Sequence, residues 1–156
     1  LDDIITVGDE ELVVSFLDMV ENHKMVVENS GLLTVAALKH LDVKNKKVVA
    51  ILSGGNMDVI TMSSVVQQGL VLRDRIFSVS VLLPDKPGEL SRVADVIAKQ
   101  NGNVIKLEHN QFVSINRNAE VELRITLEAY GTEHKNQIIK ALKDNGYQPK
   151  LVRASI

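Results

Sequence analysis

The sequence predicts two folding units: an α/β segment over residues 1–74, and an α+β unit with the element order β-α-β-β-α-β over residues 75–156. The run from Val48 to Leu52 is apolar throughout, as in a strand that is buried on both faces of a parallel sheet. Residues 121–129 alternate between apolar and polar side chains, as in a strand with one buried face. The charge balance also changes near residue 74, because residues 1–74 carry 6 basic and 11 acidic side chains whereas residues 75–156 carry 12 basic and 9 acidic side chains.

The first segment is expected to begin with a helix that has Asp9 as its N-cap. The apolar face of this helix consists of Leu12, Val13, Phe16, Leu17 and Val20. Met25–Val27 is a short strand candidate. A second helix is expected after Asn29-Ser30-Gly31, with its apolar face at Leu32, Leu33, Ala36, Ala37 and Leu41.

The apolar strand at Val48–Leu52 leads directly into the loop Ser53-Gly54-Gly55-Asn56. A third helix follows from Asp58 to about Gln68, with Val59, Met62, Ser63 and Val66 in line. Ligands of open α/β sheets gather at the carboxyl ends of the strands, which is where Ser53 falls. The glycine pair alone is weak evidence for a ligand, and it has neither the Walker spacing nor the dinucleotide fingerprint, so nucleotide binding is not expected.

The second unit opens with a strand in which Phe77, Val79, Val81 and Leu83 alternate with Ser78 and Ser80. Pro84 ends this strand. After Pro87-Gly88, a helix is expected with apolar positions at Leu90, Val93, Ala94, Ile97 and Ala98. The first turn of such a helix presents unpaired N–H groups that favour a carboxylate ligand. On local chemistry alone, an ordinary turn that binds nothing is the more common alternative.

The remaining elements complete the predicted sheet. Asn101-Gly102-Asn103 is expected to end the helix with Gly102 in the left-handed conformation, and the second strand runs from Val104 to about Phe112 with Ile105 and Leu107 on one side. After a turn at residues 116–118, the third strand buries Val121, Leu123, Ile125, Leu127 and Ala129. It exposes Glu120, Glu122, Arg124, Thr126 and Glu128.

The last helix begins at Gly131-Thr132-Glu133, has an apolar stripe at Ile138, Ile139 and Leu142, and ends at Asn145-Gly146. A final strand spans Tyr147 to about Arg153. This order predicts a ferredoxin-like split βαβ arrangement, with both helices on one face of an antiparallel sheet.

Residues 75–156 resemble an ACT domain, the regulatory module that binds amino acids at the control sites of metabolic enzymes. The resemblance rests on Asp85-Lys86-Pro87-Gly88-Glu89-Leu90 and on Gly102-Asn103-Val104. It implies a homo-oligomer, at least a dimer, in which an amino-acid effector lies between the first turn of one copy and the second strand of its neighbour. The effector-binding residues would be Asp85, Gly88, Leu90 and Asn103, and isoleucine or valine is the expected effector.

Residues 1–74 resemble the end of the catalytic domain of threonine ammonia-lyases, which are pyridoxal-phosphate enzymes of the tryptophan-synthase-β fold. The matching segments are Val26–Gly31, Val48–Leu52 and Ser53–Asn56, although Asn29 stands where many relatives have proline. The resemblance implies that Ser53, with Gly54 beside it, binds pyridoxal 5′-phosphate through a hydrogen bond to the pyridine nitrogen. It also implies that the Schiff-base lysine and the phosphate loop lie outside this chain, so the fragment holds no catalytic residue and is expected to be inactive alone.

A hydroxyl at the pyridine nitrogen does not hold a proton there as a carboxylate would, which makes the ring a weaker electron sink and suits elimination of water. The two resemblances together imply the regulatory C-terminal portion of a cytoplasmic L-threonine ammonia-lyase, a lyase that converts threonine or serine to a 2-keto acid and ammonia. Isoleucine biosynthesis is the expected pathway, with a catabolic role left open by the sequence. The alternative is a generic ACT amino-acid sensor, or a structural dimerisation module of another pyridoxal-phosphate enzyme.

Composition argues against other classes of function. The chain has no cysteine, and its four histidines lack ligand spacing, so no metal site is expected; His109, near the predicted effector corner, is the histidine to examine. RNA binding is not expected, because only three Phe, two Tyr and no Trp are present and the third strand has glutamates on its solvent face. No apolar run reaches membrane-spanning length, and no signal-peptide pattern is present.

Overall fold

The structure is a computed structural model that describes residues 3–110 and 120–154. The chain divides into two compact units, the first ending at Leu72 and the second beginning at Arg73. The predicted turn at residues 116–118 and the predicted strand end at Phe112 lie outside the described residues.

The first unit is helical. Helix α1 (Asp9–Asp18) continues into a π-helical turn (Met19–His23), and α2 (Leu33–Ala37) is flanked by 3₁₀ turns at Asn29–Leu32 and Leu38–His40. Helix α3 (Val59–Leu72) packs against α1. The core of this unit is formed by Leu12, Val13, Phe16, Met19, Val27, Leu32, Ala36 and Val65. The predicted apolar face of α1 is thereby confirmed.

Both strands predicted in the first unit are wrong. Neither Met25–Val27 nor Val48–Leu52 is a strand, and within the described residues of this unit no segment is in a sheet. Val49 is 89% exposed and Ile51 is 72% exposed, so the apolar run is not buried on both faces. The physical reason is that a strand requires a hydrogen-bonded neighbour, which an apolar run does not provide for itself.

The helices of the first unit also differ in detail from the prediction. The N-cap of α1 is Gly8 rather than Asp9, because the Glu11 carboxylate reaches back and accepts the Gly8 N–H at 2.8 Å. The second predicted helix is broken into short turns. Of its predicted apolar face, Leu32 and Ala36 are buried, whereas Leu33 and Leu41 are exposed.

Helix α3 is longer than predicted, and only part of its predicted face is turned inward. Asp58 precedes it and accepts the N–H groups of Ile60 and Thr61, each at 2.9 Å. Of the predicted residues, Met62 and Val66 pack partly buried against the core, whereas Val59 and Ser63 are exposed. The fully buried positions are Val65 and Gly69. A Cβ at Gly69 would lie 3.3 Å from Leu17 Cδ2, which shows how closely α1 approaches this face.

The second unit contains the predicted β-α-β-β-α-β order. Its elements are β1 (Ile76–Pro84), α4 (Glu89–Lys99), β2 (Asn103–Asn110), β3 (Glu120–Glu128), α5 (Thr132–Asp144) and β4 (Lys150–Val152). The four strands form one antiparallel sheet in the order β2-β3-β1-β4, which confirms the predicted sheet. Both helices contribute to its core, through Val93, Val96, Ile97, Ile138 and Leu142.

The alternation predicted for β1 and β3 is confirmed on the buried face, where all five predicted residues of β3 are at most 4% exposed. On the other face, Thr126 is only 3% exposed although it was expected to be solvated, and Ser78 and Ser80 of β1 are also buried. The Thr126 hydroxyl is hydrogen-bonded to that of Ser78 on the adjacent strand at 2.8 Å. The bond explains how a polar pair is accommodated in the centre of this face.

Two predictions around α4 are corrected. Leu90, Ala94 and Ala98 are exposed, while Val96 is buried in the core instead. The left-handed residue after α4 is Asn101 (φ 58°), not Gly102. Gly102 is required for a different reason: a Cβ there would lie 2.8 Å from Ile97 Cγ2 and 3.0 Å from Ile138 Cδ1.

Strand β2 contains a β-bulge between Val104 and Lys106. Val104 pairs with Leu127 and Leu107 pairs with Ile125, so Leu107 shares a face with Val104 rather than with Ile105 as predicted. The extra residue of the bulge is Ile105. Helix α5 matches the prediction, and β4 is shorter than predicted.

Candidate functional site

Two backbone hydrogen bonds between residues close in sequence form the turn after β1. The Lys86 N–H donates to the Pro84 carbonyl at 2.8 Å, and the Glu89 N–H donates to the Lys86 carbonyl at 3.4 Å. Gly88 adopts a φ of 93°, which only glycine takes without strain. This conformation turns the chain from β1 into α4.

The first turn of α4 carries donors that the helix itself does not use. The first intrahelical bond runs from the Arg92 N–H to the Gly88 carbonyl at 3.1 Å. The N–H groups of Leu90 and Ser91 therefore have no acceptor within the helix. A Cβ at Gly88 would meet no atom within 4 Å, and Asp85 is exposed, so the space above this turn is open.

Asn103 begins β2 and is oriented by a neighbouring strand. Its Nδ2 donates to Glu128 Oε2 at 3.1 Å. This bond turns the amide so that Oδ1 faces away from the carboxylate and can accept a further hydrogen bond.

The strand register separates Asn103 from the turn within one chain. Asn103 pairs with Glu128, which pairs with Ile76 at the start of β1. The turn follows Pro84 at the other end of β1. Eight residue steps at about 3.3 Å each place the two ends about 26 Å apart. The structure thus brings Asp85, Gly88 and Leu90 together on one corner but not with Asn103.

Strand β2 is an edge strand of the sheet. Its side chains Val104, Ile105 and Leu107 are each more than one-third exposed, as is Leu90 on α4. An edge strand also presents unpaired backbone groups that can pair with another strand. This side of the second unit therefore has both exposed apolar side chains and an edge strand that can pair with another strand.

The loop that contains Ser53 is fixed by close contacts with the segment around Glu28. A Cβ at Gly31 would lie 1.7 Å from the Ser53 carbonyl oxygen, and the Thr34 hydroxyl donates to the Ile51 carbonyl at 2.8 Å. Gly54 has a φ of 84°, and a Cβ there would lie 2.2 Å from Glu28 Oε1. Glycine is required at Gly31 by its contact with the Ser53 main chain and at Gly54 by its positive φ.

Ser53 itself is exposed at the end of the apolar run. An exposed hydroxyl on a tightly held glycine loop can donate a hydrogen bond to a heterocyclic nitrogen. The residues present therefore fit one edge of pyridoxal 5′-phosphate, the pyridine nitrogen. Ser53 and Gly54 are consecutive residues of this loop, and their binding to the cofactor stays a prediction.

His109 lies exposed on β2, opposite Leu123. In residues 3–110 and 120–154, no group of three or more histidine, aspartate or glutamate side chains could hold a metal ion. The carboxyl of Glu108 beside it has its pKa lowered, chiefly by a hydrogen bond from Lys106 at 2.9 Å. None of the helices in those residues is long and apolar enough to cross a membrane.

Sequence reasoning missed two carboxylates at these sites. Glu128 orients Asn103, and Glu28 fills the space beside Gly54. Glu28 lies in the segment Val26–Gly31, and the resemblance assigns it no role. Neither contact has a signal in the local pattern, because each joins residues about 25 positions apart.

The geometry describes an α+β unit with an open helix corner, preceded by a segment that presents a serine on a glycine loop. No protein-family model matches the chain. The L-threonine ammonia-lyase of Geobacter sulfurreducens is 36% identical over 149 residues, which are 94% of the chain. That of Thermotoga maritima is 31% identical over 153 residues, which are 97% of the chain. The chain is thus similar over nearly its whole length to threonine ammonia-lyases (threonine dehydratases), and the predicted resemblance is confirmed.

The chain spans only 37% and 38% of the lengths of these two relatives. Among solved structures, protein BT0572 from Bacteroides thetaiotaomicron aligns with 50% of the chain and 48% of its own, at a TM-score of 0.38 and 26% identity. Prephenate dehydratase from Streptococcus mutans aligns with 49% of the chain and 40% of its own, at a TM-score of 0.42 and 21% identity.

Proposed function

We propose that this chain is the regulatory C-terminal portion of a cytoplasmic L-threonine ammonia-lyase, and that residues 75–156 are an ACT domain that binds an amino-acid effector between two copies. The observation that carries the proposal is the separation of Asn103 from the Asp85–Leu90 corner along the sheet. A single chain cannot close a small ligand between groups about 26 Å apart.

If the β2 edge strands of two copies pair about a two-fold axis, Asn103 of one copy comes to the same side of the sheet as the Asp85–Leu90 corner of the other. When two β2 strands pair antiparallel, the Asn103 end of one lies beside the Asn110 end of the other. Asn110 pairs with Glu122, which pairs with Leu82 near the end of β1. The Asn103 of one copy therefore comes to the side of the sheet where the Asp85–Leu90 corner of its neighbour lies. The same pairing would cover the exposed apolar side chains of β2.

The two halves of this site complement a zwitterion. The N–H groups of Leu90 and Ser91 are donors for the α-carboxylate at a helix N-terminus, where the helix dipole also favours an anion. The Asp85 carboxylate and the Asn103 Oδ1 are acceptors for the ammonium group. The Leu90 side chain, 44% exposed, offers an apolar contact for a branched side chain. Isoleucine or valine satisfies all three requirements.

The complete enzyme would eliminate water from threonine or serine and release a 2-keto acid and ammonia. Pyridoxal 5′-phosphate supplies the electron sink for this chemistry when it is bound. Ser53 would hold the pyridine edge by donating its hydroxyl hydrogen, with Gly54 shaping the loop. The exposure of Val49 and Ile51 supports this assignment, because an apolar run that leads into a cofactor loop would be covered by the rest of a catalytic domain.

The test is a complementation experiment between two variants, each of which is expected to lose effector binding. Asp85→Ala and Asn103→Ala are each titrated calorimetrically with isoleucine, valine, threonine and serine, and the mass of each in solution is measured. Each variant should remain a dimer and lose binding. After the two are unfolded, mixed in equal amounts and refolded, about one quarter of the wild-type sites should return, since half of the dimers are mixed and each has one intact site.

The controls are Asp95→Ala and Asn136→Ala, which remove an exposed carboxylate and an exposed amide outside the corner. Both should bind as the wild type does. If the mixture of site variants recovers no binding while the wild-type dimer binds, the site lies within one chain and the interface proposal fails. If a folded wild-type dimer binds none of the four amino acids, the unit is a structural dimerisation module instead.

A further inference from the structure

We propose that Glu28 is a positioning residue for the Ser53 loop, and that it aligns the Ser53 hydroxyl for the pyridine nitrogen of pyridoxal 5′-phosphate. This inference rests on the proposed cofactor site at Ser53. It adds a role for a side chain that would touch neither the cofactor nor the substrate but would act through the loop.

The Glu28 side chain occupies the volume beside Gly54. A Cβ at Gly54 would lie 2.2 Å from Oε1, 2.5 Å from Cδ and 2.9 Å from Cγ of Glu28. The Glu28 N–H also donates to the Gly54 carbonyl at 3.4 Å. Both the main chain and the side chain of Glu28 therefore contact the residue that follows Ser53.

Glu28 is itself fixed by its own segment. The Ser30 hydroxyl donates to Glu28 Oε1 at 2.8 Å, and the Gly31 N–H donates to the Glu28 carbonyl at 2.9 Å. Gly31 also lies against the Ser53 carbonyl, so closely that a Cβ at Gly31 would lie 1.7 Å from the carbonyl oxygen. Ser53 is thus placed between two contacts that originate in one four-residue turn.

The consequence is a preorganised hydroxyl. A serine on a free glycine loop would sample many backbone conformations, and ordering it on binding would weaken the cofactor interaction. The contacts at Gly31 and Glu28 impose that order before the cofactor arrives. Glu28 contributes through the volume that its side chain fills beside Gly54 and through Oε1, which accepts the hydrogen bond from the Ser30 hydroxyl. A glutamine of the same length preserves both, whereas an alanine preserves neither.

The experiment uses the full-length enzyme that contains this chain, with the variants Glu28→Ala, Glu28→Gln and Ser53→Ala. Glu10→Ala is the control, an exposed carboxylate in the first turn of α1. The dissociation constant of pyridoxal 5′-phosphate and the absorbance of the bound cofactor are measured for each. Amide hydrogen exchange over residues 51–56 and the thermal midpoint are measured on each apoenzyme.

Glu28→Ala should weaken cofactor binding about five- to tenfold, the effect of losing roughly one hydrogen bond. It should also shift the cofactor absorbance and accelerate exchange over residues 51–56, with little change in the thermal midpoint. Glu28→Gln should restore the affinity to within about twofold of the wild type, because the positioning contacts are retained.

Unchanged affinity and exchange in Glu28→Ala would overturn the inference, as would a Glu28→Gln variant that is as weak as Glu28→Ala. The second result would assign the effect to charge rather than to position. Failure of the proposed cofactor site is recognised separately. If the wild type binds no cofactor, or if Ser53→Ala leaves both the affinity and the absorbance unchanged, the Ser53 site is removed and the Glu28 role with it.

Discussion

Removal of the Asp74 charge should destabilise the second unit. Asp74 Oδ1 accepts a hydrogen bond from Lys135 Nζ at 2.6 Å, and Oδ2 accepts one from the Thr132 hydroxyl at 2.8 Å. The Asp74 and Lys135 side chains are only 25% and 16% exposed, so solvent screens this pair less than a surface ion pair. The pair attaches the residue just before β1 to the first turn of α5.

The size of the effect follows from these contacts. In Asp74→Asn the amide oxygen retains one neutral hydrogen bond and the charge-assisted bond is lost, which should cost about 1.5 kcal/mol. Asp74→Ala loses both bonds. It also places alanine at a φ of 54°, which adds about 1 kcal/mol and gives a total of about 3 to 4 kcal/mol.

The effect should depend on pH in a defined direction. The hydrogen bond from Lys135 is the largest cause that lowers the pKa of Asp74 in the folded chain. A carboxyl with a lowered folded pKa stabilises the fold fully above its unfolded pKa of about 3.9 and loses that contribution as the pH falls through the folded value. The difference between wild type and Asp74→Asn should therefore be full at neutral pH and should shrink below about pH 4.

The assay is urea unfolding followed by tyrosine fluorescence. Both tyrosines of the chain, Tyr130 and Tyr147, belong to the second unit, and the chain has no tryptophan, so this signal reports that unit alone. The predicted contribution of the Asp74–Lys135 pair is refuted if Asp74→Asn unfolds at the same urea concentration as the wild type at neutral pH. It is also refuted if the difference stays the same at low pH.

Two further substitutions test the packing of the second unit. Gly102→Ala should destabilise it by about 1 to 3 kcal/mol, because the new methyl group would overlap Ile97 and Ile138, which are buried; equal stability in the tyrosine-monitored unfolding would contradict this. Ser78→Ala should lower the free energy of unfolding by about 1 kcal/mol, because it removes the buried hydrogen bond to Thr126. A double-mutant cycle with Thr126→Val should give a coupling energy of about 0.5 kcal/mol or more. Additive effects of the two substitutions would show that the bond contributes nothing.

The second unit could be predicted from sequence because its signals are local. The period-2 alternation of β3 fixes which residues face the core, and the helix ends around α5 contain residues suited to their positions. Thr126 was predicted to be solvated because the alternation shows only that it is polar. It does not show the hydrogen bond to Ser78 that allows Thr126 to be buried. The bulge at Ile105 was missed because it adds one residue without a change in composition.

The first unit was predicted less well because its strands depend on partners. Val48–Leu52 has the composition of a buried strand, but composition does not supply a neighbouring strand to pair with it. Among site residues, Asp85, Gly88 and Leu90 were found on one turn because they are adjacent in sequence. The contacts of Glu128 with Asn103 and of Glu28 with Gly54 arise only when distant segments meet, so no local pattern could predict them.

The proposed effector site could regulate an enzyme because it is incomplete in one copy of this chain. The effector corner lies at the opposite end of the sheet from Asn103. An effector that needs two copies can bind well only when their β2 edges are paired, so it must favour that arrangement by its differential affinity. By the same linkage, a substitution that weakens β2 pairing without touching Asp85 or Asn103 must also weaken effector binding.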